Sequence, residues 1–69
     1  MDSKIIAKNL LDLRVKKGVS QAEVAKSIGI SPSSWSMYEH GERVPRDRVK
    51  QAIASYFKTS VQRIFFTQR

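Results

Sequence analysis

Ser20 to Gly41 reads SQAEVAKSIGISPSSWSMYEHG, and this stretch contains the start and the stop of two consecutive helices. Ser20-Gln21-Ala22-Glu23 is a capping box: the Ser20 hydroxyl accepts from the Glu23 backbone N–H while the Glu23 carboxylate reaches back to the N–H of Ser20. Val19 and Val24 stand where a hydrophobic staple would. A helix therefore starts at Gln21, and Gly29, able to take a left-handed conformation, stops it after about two turns. Ser31-Pro32 reopens a helix almost at once, with Ser as N-cap and Pro at the first helical position, where its missing N–H costs nothing. Gly41 ends this second helix.

On that second helix Trp35, Tyr38 and Glu39, spaced by three and four, share one face, whereas Ser33, Ser36, Met37 and His40 share another. One face packs and the other is presented. Two short helices joined by a tight turn containing Gly are a helix-turn-helix unit, in which the first holds the second rigidly enough to enter a DNA major groove.

Outward from this unit the chain is also helical. Ile6, Leu10 and Leu13 form an amphipathic stripe over roughly residues 3–17, which Gly18 stops. Leu11 and Val15 form a second apolar row on a neighbouring face, wider than one partner helix needs. Glu42-Arg43-Val44-Pro45-Arg46 is a charged connection to a helix over roughly residues 47–58, with apolar positions at Val49, Ala52, Ile53, Tyr56 and Phe57. Ser60 caps a last short helix holding Val61, Ile64 and Phe65 and reaching toward Phe66, while Thr67-Gln68-Arg69 is expected to fray. With no repeat, linker or low-complexity stretch, residues 1–69 are expected to form a single all-α domain of five helices.

Composition narrows the function. The chain has 69 residues, too few for two separate cores, and contains no Cys and one His, so it has neither a disulfide nor a zinc cluster to staple it. Thirteen Lys and Arg against six Asp and Glu give a net charge of +7. Nucleic acid is the commonest partner of such a surface; an anionic membrane or a merely solvated basic surface are the alternatives. The longest apolar runs, Ile5-Ile6-Ala7 and Ile64-Phe65-Phe66, fall short of a membrane span, and the amino-terminus lacks a signal-peptide stretch. A soluble, cytoplasmic, nucleoid-associated protein is expected. No nucleophile with a base, acid–base carboxylate pair or phosphate-cradling Gly loop is present, so neither an enzyme nor a cofactor, metal or small-molecule ligand is expected.

The order and spacing of Leu13-Arg14, Lys17-Gly18-Val19-Ser20-Gln21, Glu23-Val24-Ala25, Gly29-Ile30-Ser31, Tyr38-Glu39, Gly41 and Pro45 resemble the lambda-repressor-like, Cro-type (XRE) helix-turn-helix family over most of the chain. The resemblance implies a five-helix DNA-binding domain with its helix-turn-helix at helices two and three, about residues 20–41. It implies that Gln21, at the mouth of helix two, meets a DNA phosphate, helped by the helix dipole; the alternative is an ordinary solvated Gln. Pro32, Ser33, Ser36 and Met37 match positions that meet base edges. Ser31, Arg43, Arg46 and Lys17 are phosphate candidates, and His40 either touches a phosphate or is merely exposed. Arg14 and Glu39 match a pair that commonly bridges helices one and three, the alternative being two solvated charges.

Departures from the family's pattern matter too. Many relatives carry Arg, Gln or Asn on the recognition face, where this chain offers small hydroxyls and a thioether, so readout is expected to lean on groove shape, water and phosphate register. Trp35 replaces an aliphatic residue and is expected in the core. Asp47 and Lys50 stand where relatives often have Leu, which suggests a shifted helical phase that puts Val49 in the core. Family members usually bind as twofold dimers on half-sites about 34 Å apart. Leu11, Val15, Phe65 and Phe66 therefore either complete the core or form a homodimer contact. The expected function is a small phage or mobile-element repressor that binds a palindromic double-stranded operator as a dimer. The alternative is an antitoxin-type interaction module that also binds its own promoter.

Overall fold

The computed structural model describes residues 3–66; the expected fraying of Thr67-Gln68-Arg69 lies outside the described residues. Five helices follow in order, α1 (Ser3–Lys17), α2 (Gln21–Ile28), α3 (Pro32–Glu39), α4 (Asp47–Tyr56) and α5 (Val61–Phe65). Among the described residues there is no strand, and no helix is long and apolar enough to cross a membrane.

Local chemistry sets most of the boundaries. The capping box at α2 is formed in both directions: Glu23 N–H donates to Ser20 Oγ at 3.1 Å, and Ser20 N–H to Glu23 Oε1 at 3.3 Å. Gly29 (φ 78°) closes α2, and the Ile30 N–H returns to the Ala25 carbonyl at 2.9 Å, so the chain reverses within three residues. Ser31 caps α3 by accepting from the Ser34 N–H at 3.1 Å. The same closing geometry ends α3, where Gly41 (φ 74°) sits so close to α1 that a Cβ there would lie 3.4 Å from the Ser3 carbonyl oxygen.

Helix α4 departs from the sequence reading in two ways. It stops at Tyr56, two residues short of the expected end. There the chain makes a left-handed turn at Lys58 (φ 55°), and the Thr59 N–H bonds the Ala54 carbonyl at 2.9 Å. Nor is its phase shifted. Lys50, Ile53 and Ala54 are the buried positions, and Val49 is only half-buried against the core. Lys50 is accommodated because its stem lies along α5: Nζ stands 5.7 and 5.2 Å from the ring centroids of Phe65 and Phe66 and 3.7 Å from Asp47 Oδ1.

Trp35 of α3 sits at the centre, 0% exposed, amid Ile6, Leu10, Val24, Ala25, Ile53, Ile64 and Phe65. Its ring meets Tyr38 edge-on with centroids 6.5 Å apart and Phe57 at 6.3 Å. The large indole therefore ties α3 to the segment that follows α4. Helix α5 folds back on α1, tied by Asn9 Nδ2 donating to the Ile64 carbonyl at 2.9 Å.

Candidate nucleic-acid interface

A helix offered to a rigid polymer must be held from behind, and the inner face of α3 is held by one carboxylate. Glu39 accepts from Arg14 of α1 through Nε at 2.5 Å and Nη2 at 3.3 Å. It also accepts from Gln21 Nε2 of α2 at 2.9 Å and from Trp35 Nε1, one turn back on α3, at 2.6 Å. Arg14 reaches further, donating from Nη1 to the Val19 carbonyl at 3.0 Å. The Glu39 side chain is 5% exposed and that of Arg14 19%. Burial is the largest single influence on the Glu39 carboxyl and raises its pKa. The hydrogen bonds from Arg14, Gln21 and Trp35, with the Arg14 charge, together outweigh it and hold the group below its ordinary 4.5. Helices α1, α2 and α3 are thus pinned at one point, and no buried side-chain polar atom among the described residues lacks a partner.

The opposite face of α3 points outward. Pro32, Ser33 and His40 are exposed, while Ser36 and Met37 are half-exposed. Ser33, Met37 and His40, spaced by four and three, form one stripe with Ser36 beside it. Ser36 and His40 are linked: His40 Nδ1 lies 2.7 Å from the Ser36 carbonyl oxygen and 3.2 Å from its hydroxyl. Past the end of α3, Arg43 and Arg46 are exposed.

The remaining candidates are placed less simply. Gln21 is half-buried and its amide is engaged by Glu39, so what the mouth of α2 offers an anion is chiefly backbone N–H. The Ser31 hydroxyl, besides capping α3, donates to Ser34 Oγ at 3.0 Å. Lys17 holds its ammonium 4.9 Å from the Tyr56 ring centroid on α4. Among the apolar candidates for a protomer contact, Phe65 is corrected: it is 3% exposed and belongs to the chain's own core, because α5 packs back on α1 and α4. Leu11, Val15 and Phe66 stay 40%, 63% and 50% exposed.

Sequence reasoning missed two features. Gln21 and Trp35 converge on Glu39; the four-residue spacing of Trp35 and Glu39 was a usable signal for one contact, but nothing local announced the other. Arg48 is exposed too, and with Arg43 and Arg46 it lines a groove that Ile28, Ile30 and Val49 also line.

Comparison with known proteins agrees with this geometry. The helix-turn-helix family model matches residues 10–64. The chain is similar to the cryptic phage CTXphi transcriptional repressor RstR of Vibrio cholerae, 28% identical over 53 residues that make up 77% of this chain and 48% of that protein. It therefore spans about half the length of this curated relative. Among solved structures it is similar to the solution structure of the SOS-response transcriptional repressor LexA from Eubacterium rectale. That likeness has 33% identity and a TM-score of 0.88, covering 91% of this chain and 67% of that one.

Proposed function

This chain belongs to the lambda-repressor-like, XRE-type helix-turn-helix family of DNA-binding transcriptional repressors, and on that premise we propose that it represses transcription by binding a palindromic double-stranded operator as a homodimer. The observation that carries the reading is the outward stripe of α3, backed by the Glu39 junction and followed by exposed Arg43 and Arg46. In this reading Pro32, Ser33, Ser36 and Met37 meet base edges, Met37 touching a thymine methyl and the hydroxyls donating or accepting. Arg43 and Arg46, with the first N–H groups of α2 at Gln21, hold phosphates and set the register. The similarity to a phage repressor supports a phage or mobile-element setting.

One recognition helix meets too few base pairs to select a site in a genome, which supports pairing of protomers on two half-sites about one DNA turn apart. The exposed Leu11, Val15 and Phe66 are the apolar residues offered for that contact. The test is footprinting on the DNA flanking the protein's own gene, with affinity measured across a salt series. A protected twofold site, a steep fall of affinity with salt and a large preference over random duplex are expected. Equal affinity for all duplexes would overturn sequence-specific repression. Sedimentation of Phe66→Glu with and without the site tests the contact: an unchanged monomer–dimer balance removes Phe66 from it.

A further inference from the structure

The stripe of α3 runs on into its C-cap, His40, where the backbone fixes the hydrogen-bonding sense of one ring nitrogen before any ligand arrives. The Ser36 carbonyl oxygen can only accept, and His40 Nδ1 lies 2.7 Å from it, so Nδ1 must carry the proton. The same carbonyl accepts the His40 backbone N–H at 3.0 Å, which closes the last turn and fixes where the ring begins. The Ser36 hydroxyl, 3.2 Å from Nδ1, steadies the ring from the side. In the neutral ring Nε2 is then a bare acceptor, on an exposed residue that continues the line of Ser33 and Met37 by one turn.

In that neutral form, the one tested below at pH 8, the Nε2 acceptor finds no partner in a phosphate, whose oxygens also only accept. Across the major groove the available donors are the amino groups, N6 of adenine and N4 of cytosine, whereas guanine and thymine present keto oxygens at the corresponding place. We infer that His40, oriented by Ser36, reads a base edge rather than the backbone, selecting an amino base (adenine or cytosine) over a keto base (guanine or thymine) at one position of each half-site. This rests on the DNA-binding reading above and adds a specificity residue to a face otherwise made of small hydroxyls and a thioether.

The test is selection from a pool of randomised duplexes at pH 8 with the whole chain, in parallel with His40→Ala and His40→Lys, folding being checked by Trp35 emission. The native chain is expected to enrich sites in which one position favours A or C over G or T by about three- to tenfold, the range of one net hydrogen bond. Both variants should lose the preference at that position and keep the rest of the site. An unchanged site with uniformly weaker binding in the variants would make His40 a phosphate contact and overturn the inference alone. A native site with no amino-over-keto position would do the same. A native chain that enriches no sequence would bring down both this inference and the repressor reading beneath it.

Discussion

Replacing Glu39 by Ala removes the acceptor on which Arg14, Gln21 and Trp35 converge, and the cost can be apportioned from their surroundings. Trp35 is 0% exposed, so its Nε1–H is stranded without water, at about 1–3 kcal/mol. Arg14 keeps its bond to the Val19 carbonyl and is 19% exposed, so its charge is partly rehydrated and contributes toward the lower end of the roughly 3–5 kcal/mol typical of a broken buried pair. Half-buried Gln21 turns to solvent at little cost. The sum is at least about 4 kcal/mol, against a total of roughly 3–10 kcal/mol for a domain of this length. Thermal unfolding followed by the emission of the single Trp should show a midpoint lowered by about 16–32 °C. Glu39→Gln, which keeps one carbonyl acceptor but loses the charge, should cost about half as much. The pH dependence supplies a second readout. Because folding lowers the Glu39 pKa below 4.5, its contribution is fully present above that value and is lost as pH falls through the lower folded value. The stability gap between native chain and Glu39→Gln should therefore narrow below about pH 4.5. A Glu39→Ala midpoint within about 3 °C of the native one, or an acid limb identical in Glu39→Gln, would refute the role of this carboxylate as the pin between three helices.

Other outcomes follow from single features. Lys58 holds a left-handed φ that costs an L-residue roughly 1 kcal/mol, partly offset in Gly by a larger loss of chain entropy. Lys58→Gly should thus raise the unfolding midpoint by about 2–4 °C, and a lower midpoint would show that the Lys side chain matters more than the turn. Ser20→Ala removes the hydroxyl half of the α2 capping box and should cost about 1 kcal/mol in urea denaturation at an unchanged slope. Arg43→Ala and Arg46→Ala should each weaken binding to operator and random duplex alike and reduce the log–log salt slope by about one; a loss confined to one base position would move that residue to the groove floor.

The parts of this fold legible in the sequence are those governed by neighbours three or four residues apart. The capping box at Ser20, the N-caps at Ser31 and Ser60, the stops at Gly18, Gly29 and Gly41 and the split of α3 into packed and presented faces all depend on interactions within one helical turn. Such signals fix where helices begin and end, and through their order they fix the helix-turn-helix. The tertiary structure decided what meets across long separations. Glu39 collects Gln21 from 18 residues away and Arg14 from 25, a convergence that exists only once three helices have packed. Apolar character alone did not distinguish Phe65 from Phe66; the direction in which α5 folds back buries one and exposes the other. Lys50 looked like a reason to shift the phase of α4, yet a long aliphatic stem can lie in a core if aromatic rings receive its ammonium, and only the docking of α5 supplies those rings. Local hydrogen-bonding rules act on the unfolded chain and are written in its order, whereas the partners of a buried charge or a ring face are set by packing that brings distant segments together.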